Sequence, residues 1–134
     1  MQKRMSPLWI VALAVLLAAT ACGGSFSTAN IEEVWTSSDL DGNSRTSTFG
    51  QDEVFYVQVD LRNAPDDTQL KATWIAVEAE GTEPNFLIQE TDFVTGSGLV
   101  HFDLSNTNLW PKGSYKVEIF MNGDLQETVN FTVE

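Results

Sequence analysis

Tyr115-Lys116-Val117-Glu118-Ile119-Phe120-Met121-Asn122-Gly123-Asp124, closed by Thr128-Val129-Asn130-Phe131-Thr132-Val133, is the stretch that decides the fold. Tyr115, Val117, Ile119 and Met121 alternate with Lys116, Glu118 and Phe120, and Val129, Phe131 and Val133 alternate with Thr128, Asn130 and Thr132. Period two places successive side chains on opposite faces, so each run predicts a strand with one buried and one solvated face. Between them stands Asn122-Gly123, two residues that tolerate positive φ and so predict a type I′ hairpin turn. The same alternation recurs upstream. Phe55, Val57, Val59 and Leu61 share one face, with Gln58 and Asp60 on the other, and Val100, Phe102 and Leu104 alternate with His101 and Asp103. Further strands are expected over 31–36, 70–78 and 86–91. Turn formers separate the runs: Asp41-Gly42-Asn43, Ala64-Pro65-Asp66-Asp67, Gly96-Ser97-Gly98 and Pro111-Lys112-Gly113. No segment shows apolar spacing at three and four residues. The expectation is an all-β antiparallel sandwich of about seven strands, over residues 30–134.

Within that pattern, Trp74 on the third long run and Trp110-Pro111-Lys112-Gly113-Ser114-Tyr115 leading into the sixth resemble immunoglobulin-like and fibronectin-III-like sandwiches. The resemblance implies that Trp74 fills the core centre and that Tyr115 forms a tyrosine corner. Leu70, Ala72 and Ala76 share the parity of Trp74, and Phe55, Val57, Val59, Phe102, Val117, Ile119 and Phe131 are expected to join it. The bridging cysteine pair of antibody domains is missing, because the chain has 1 Cys. Packing alone must hold the domain.

That cysteine has another reading. Lys3 and Arg4 precede an apolar run from Leu8 to Ala19, and Ala19-Thr20-Ala21-Cys22-Gly23-Gly24-Ser25 follows. The order resembles the signal peptide and lipobox of bacterial lipoproteins, with Ala19 where Leu is usual. It implies that residues 1–21 are a removed leader, that Cys22 is acylated (palmitate among its lipids), and that 22–29 form a flexible tether. The competing reading, an ordinary secretory leader cut near Ala21, leaves Cys22 as an unexplained free thiol. The apolar run is shorter than the roughly 20 residues a membrane-spanning helix needs. Loss of Lys3 and Arg4 takes Lys plus Arg from 7 to five against 19 acidic residues, so the net charge moves from −12 to −14. Such a surface repels phosphate backbones and anionic headgroups, which argues against nucleic acid as a partner.

Catalytic equipment is sparse in the sequence. His101 alternates with Asp103 near Ser97 and Ser105, but no nucleophile elbow or oxyanion-hole loop accompanies them. No zinc spacing, phosphate loop or dinucleotide fingerprint is found, so no cofactor is expected. Asp39, Asp41 and Asn43 could begin an oxygen-ligand calcium loop. However, Gly42 is fourth rather than sixth and Gly50 stands where the acidic anchor of an EF-hand would be. An ordinary polar turn is the simpler expectation.

The outward parity of the Trp74 strand carries Ile75 and Val77, that of the sixth run carries Phe120, and Leu87 adjoins them on the next strand. These four are the candidate contact patch, expected to be contiguous, since exposed apolar patches often mark interfaces. The sequence therefore points to a non-enzymatic binding module held at the membrane by lipid on Cys22, outside the cytoplasm, with another envelope protein as partner. A spacer domain without a ligand, or a carbohydrate-binding module, are the alternatives.

Overall fold

The computed structural model describes residues 28–134; the leader, Cys22 and most of the tether lie outside the described residues. Eight strands form: β1 (Asn30–Ser37), β2 (Thr48–Phe49), β3 (Phe55–Arg62), β4 (Thr68–Ala79), β5 (Phe86–Thr95), β6 (Gly98–Leu104), β7 (Gly113–Met121) and β8 (Asp124–Val133). They make two sheets, β1-β3-β6 and β2-β8-β7-β4-β5. All long-strand pairings are antiparallel. Most residues expected to point inward are buried: Trp74, Phe55, Val57, Val59, Leu70, Ala72, Val117 and Ile119 at 0% exposure, and Ala76, Phe102 and Phe131 close behind, while Val100, Met121 and Val129 are half-buried at the margin of the core. Burial of these side chains is the main force holding the sheets together, at about 1.5–3 kcal/mol for each Val, Leu, Ile or Phe and less for the alanines.

The hairpin turn forms as its residues dictate. Met121 faces Asp124 across Asn122 (φ +50°) and Gly123 (φ +88°). Trp74 stands between Phe55 and Phe131, at centroid distances of 6.3 and 6.0 Å. The hydroxyl of Tyr115 donates to the carbonyl of Pro111, closing the tyrosine corner at the start of β7.

Three features depart from the sequence expectation. Gln58, placed on the solvated face, is 1% exposed. The turn after β1 folds over it, and its Nε2 donates to the carbonyl of Leu40 at 3.0 Å and to Ser37 Oγ at 3.3 Å. A short strand adds to the roughly seven expected: Thr48-Phe49 pairs in parallel with Thr132-Val133 as β2 and delivers Phe49 to the core. Trp110, expected only as part of a turn motif, is buried and stacks on Phe55 at 4.6 Å. Its indole N–H donates to Glu53 O at 3.0 Å and its backbone N–H to Gln51 O at 2.8 Å, which pins the β6–β7 loop to the β2–β3 loop.

One end of the sandwich gathers the start of β1, the β3–β4 and β5–β6 loops and the Asn122-Gly123 turn. The chain arrives there, with Thr28 Oγ1 donating to Asn63 O at 3.0 Å. The opposite end gathers the β1–β2 turn, the β4–β5 turn, the β6–β7 loop and Glu134. Nine-residue β7 sets the distance between the ends at about 30 Å.

Candidate functional site

The Asp39–Ser44 turn uses its carboxylate on itself. Asp39 Oδ1 accepts from Ser44 N–H at 2.9 Å and Oδ2 from Asn43 N–H at 3.2 Å. Ser37 Oγ donates to Asp39 O at 2.8 Å, and Trp35 Nε1 to Gly42 O at 3.0 Å. Both Asp39 oxygens cap backbone donors, as an Asx-type turn requires, and Asp41 and Asn43 point outward, exposed. Among the described residues, no group of three or more His, Cys, Asp or Glu side chains is arranged to hold a metal.

His101 is exposed on β6, with Nε2 4.0 Å from Asp103 Oδ2 and its ring against Tyr56. Ser97 lies at the far end of the strand and accepts from Ala64 N–H at 2.8 Å. His101 and Ser97 are therefore not brought into one site. The clear carboxyl shifts are superficial: Glu33 lies below its ordinary range because it accepts from the Arg45 guanidinium, and Asp60 does so because of Arg62. Arg45 also lies over Trp35, 4.0 Å from the ring centroid. These are solvated ion pairs rather than tuned catalytic groups.

Strand register resolves the candidate patch into two pieces. Across β4, Ile75 faces Leu87 on one side and Lys116 on the other, with half-buried Val77 next along the strand. Phe120 faces Lys71, whose ammonium lies 4.5 Å from its ring, and Leu125 on β8. Between the two rows runs Thr73 opposite Glu118 and Glu90. Thr73 is itself buried and donates to Glu90 Oε2 at 3.2 Å; Lys71 reaches Glu90 at 3.5 Å, and Lys116 reaches Glu118 at 3.8 Å. Ile75, Val77 and Leu87 thus belong together, and a charged row cuts Phe120 off from them. The expected contiguous patch is corrected on this point. Parity along a strand gives only a face; the relative register of the strands sets the spacing.

A second apolar feature lies at the end opposite the arriving chain. A cleft of about 130 Å³ is lined by Ala76 of β4, Phe86 and Ile88 of β5, Trp110 and Pro111 of the β6–β7 loop, and Tyr115 of β7, with Thr82 and Asn106 supplying polar atoms. A bulge in the β4–β5 ladder lies along one wall of it. Trp74 pairs with Gln89 and Ile75 with Leu87, so Ile88 is left unpaired and turns inward beside Phe86. Phe86 is 48% exposed, Leu87 49% and Leu109, next to Trp110, 64%. Burial pushes the Tyr115 hydroxyl pKa up. Parity alone missed this cleft; its trace in the sequence is the run Phe86-Leu87-Ile88, three apolar residues that cannot all face one way on a regular strand.

No family model matches this chain, and no curated protein matches it. Solved structures do. The alkylpurine DNA glycosylase AlkC of Pseudomonas fluorescens, bound to DNA containing an abasic-site analogue, superposes at TM-score 0.53 and 13% identity over 81% of this chain and 31% of that one. An immunoglobulin-like protein of Pseudomonas aeruginosa superposes at 0.52 and 15% identity, over 83% of this chain and 100% of that one. A β-glucosidase of Listeria innocua in complex with glucose superposes at 0.50 and 19% identity, over 83% of this chain and 17% of that one. The chain spans under a third of either enzyme. What is shared at such identities is the fold, an immunoglobulin-like β-sandwich.

Proposed function

We propose that this protein is a non-catalytic interaction module, tethered to the outer side of a membrane by lipid on Cys22 once residues 1–21 are removed. The cleft at the Trp110 end is the observation that carries the reading. Its volume of about 130 Å³ lies below the roughly 300–1,000 Å³ of a small-molecule site. It is close to the roughly 150 Å³ of an apolar cavity that accommodates a single benzene ring. That is room for one side chain, the unit on which protein contacts are anchored. The chain arrives at the other end of the sandwich, so a lipid on Cys22 turns the cleft, with Phe86, Leu87 and Leu109, away from the membrane.

Two measurements test the two halves of the proposal. Cys22→Ala is expected to move the folded protein from carbonate-washed membranes to the soluble fraction; retention on the membrane overturns the lipid anchor. A photo-crosslinking residue at position 86 of the full, anchored chain is expected to give a discrete adduct that the same residue at position 125, on the hairpin at the opposite end, does not. No adduct at position 86 favours the spacer reading, in which the domain only sets a distance from the membrane.

A further inference from the structure

We propose that the partner of this cleft is an extended, positively charged segment of another protein, which adds as a sixth strand to the free edge of β5 and seats one branched or aromatic side chain between Phe86, Ile88 and Trp110. The inference rests on the interaction-module reading and names the partner's chemistry. β5 ends the five-stranded sheet, and among the described residues no strand pairs with its outer side. An edge of 10 residues offers a row of unpaired N–H and C=O groups, the template used in strand addition. Phe86 and Ile88 belong to that same strand and line the cleft, so a chain lying along β5 passes its mouth. Strand addition supplies the main-chain bonds; the cleft selects one side chain.

Charge decides between the possible occupants. The outer-face positions of β5 include Glu90 and Asp92, and the turn that carries Thr82 also carries Glu80 and Glu83. Lys71 neutralises Glu90 at 3.5 Å, whereas among the described residues no ion pair reaches Asp92, Glu80 or Glu83. A second copy docking by its own β5 would bring Glu90 and Asp92 against their equivalents, on chains that are both strongly acidic. Like charges directly opposite are destabilising. The tether is excluded by length. Its six residues from Cys22 to Ser27 reach about 21 Å when fully extended, against about 30 Å to the cleft. A cationic segment meets the acid that both alternatives leave unpaired.

The test uses the mature chain, residues 22–134 with Cys22→Ala, labelled with ¹⁵N. The probe is the synthetic peptide acetyl-Lys-Thr-Val-Lys-Leu-Lys-Val-Thr-amide. Saturable shifts are expected in the amides of residues 86–92 and in the Trp110 indole N–H. Replacing the peptide's leucine with alanine, its lysines with glutamate, or alternate amides with N-methyl groups is each expected to weaken binding at least tenfold. Phe86→Ser in the protein is expected to do the same while preserving the rest of the spectrum. No saturable shift overturns the proposal. So does an alanine peptide that binds equally, because that is charge attraction alone, and so does a concentration-dependent dimer without peptide, because then a second copy is the occupant. The crosslink at position 86 separates the two levels. An adduct without peptide binding refutes strand addition and leaves the module reading standing; loss of both refutes both.

Discussion

Gly113→Ala is expected to unfold much of this domain's stability margin, and the reason lies in two backbones rather than in a side chain. Gly113 opens β7 at φ +150°, and a Cβ built there would lie 2.2 Å from the carbonyl oxygen of Glu78 and 2.6 Å from Ala79 Cα. Both atoms are backbone, just past the point where the β4–β7 register shifts between Ala76 and Glu78. Ordinary contact for a Cβ begins at 3.4 Å, so β7 has to retreat from β4 by about 1 Å. The retreat strains the Ala79–Gly113 pairing and the 2.9 Å bond from Glu80 N–H to Lys112 O. A side chain forced into this φ costs about 1–3 kcal/mol, and two weakened hydrogen bonds add about 1 kcal/mol each. The sum is about 3–5 kcal/mol, against about 5–15 kcal/mol for a domain of this size.

Urea unfolding of the Cys22→Ala mature chain, followed by tryptophan fluorescence, measures this directly. With a slope of about 1.5 kcal/mol/M, the midpoint should fall by about 2–3 M. Gly123→Ala is the control. Its φ is +88°, but nothing lies within 4 Å of the added Cβ, so only the conformational cost of about 1–2 kcal/mol applies. If Gly113→Ala is no worse than Gly123→Ala, the collision with Glu78 and Ala79 does not govern the position and the reasoning fails.

Trp74→Ala should cost about 3–5 kcal/mol, the usual range for a buried large aromatic; a wild-type denaturant midpoint would remove Trp74 from the core. Trp74→Phe should cost clearly less, because the Trp74 indole N–H is buried without a hydrogen-bond partner among the described residues and the smaller ring leaves no unpaired donor. Tyr115 is shifted upward by burial. The folded state therefore holds its proton more tightly than the unfolded chain does, and this stabilisation is fully present below about pH 10 and lost as pH rises through the folded value. Thermal melts from pH 8 to 11 should show a decline that Tyr115→Phe flattens, at a cost near 1 kcal/mol for the lost bond to Pro111.

Local chemistry made much of the fold legible. Asn122-Gly123 carries its turn geometry in its own two residues, and Trp74, Val117 and Ile119 declare their face by alternation, because sheet side chains have a period of two. Gln58 shows where that reading stops. Its alternation is correct, yet a turn nineteen residues upstream at Asp39 roofs it over, and no local pattern encodes a roof.

The candidate site was hidden for a related reason. Alternation gives a face to Ile75, Val77 and Phe120, but whether they touch depends on which residues of β7 stand beside which residues of β4. Placing Glu118 beside Thr73 puts polar side chains between them. The cleft depends on something finer still, one extra residue in β5. Without the bulge at Ile88, Phe86 and Ile88 would follow the strand's ordinary alternation down to Thr91 and Phe93. With it, the end of the strand is offset by one, so that Phe86 faces Ala76 while Leu87 faces Ile75. Bulges re-aim side chains at sheet edges, where function gathers. Deleting one residue from the run Phe86-Leu87-Ile88 should therefore keep the sandwich, whose core does not include β5 beyond Phe93 and Ile88 at its margin. It should also close the cleft, seen as loss of the Trp110 indole shift with the cationic peptide. A deletion that leaves that shift intact would show that the β6–β7 loop, not the bulge, shapes the site.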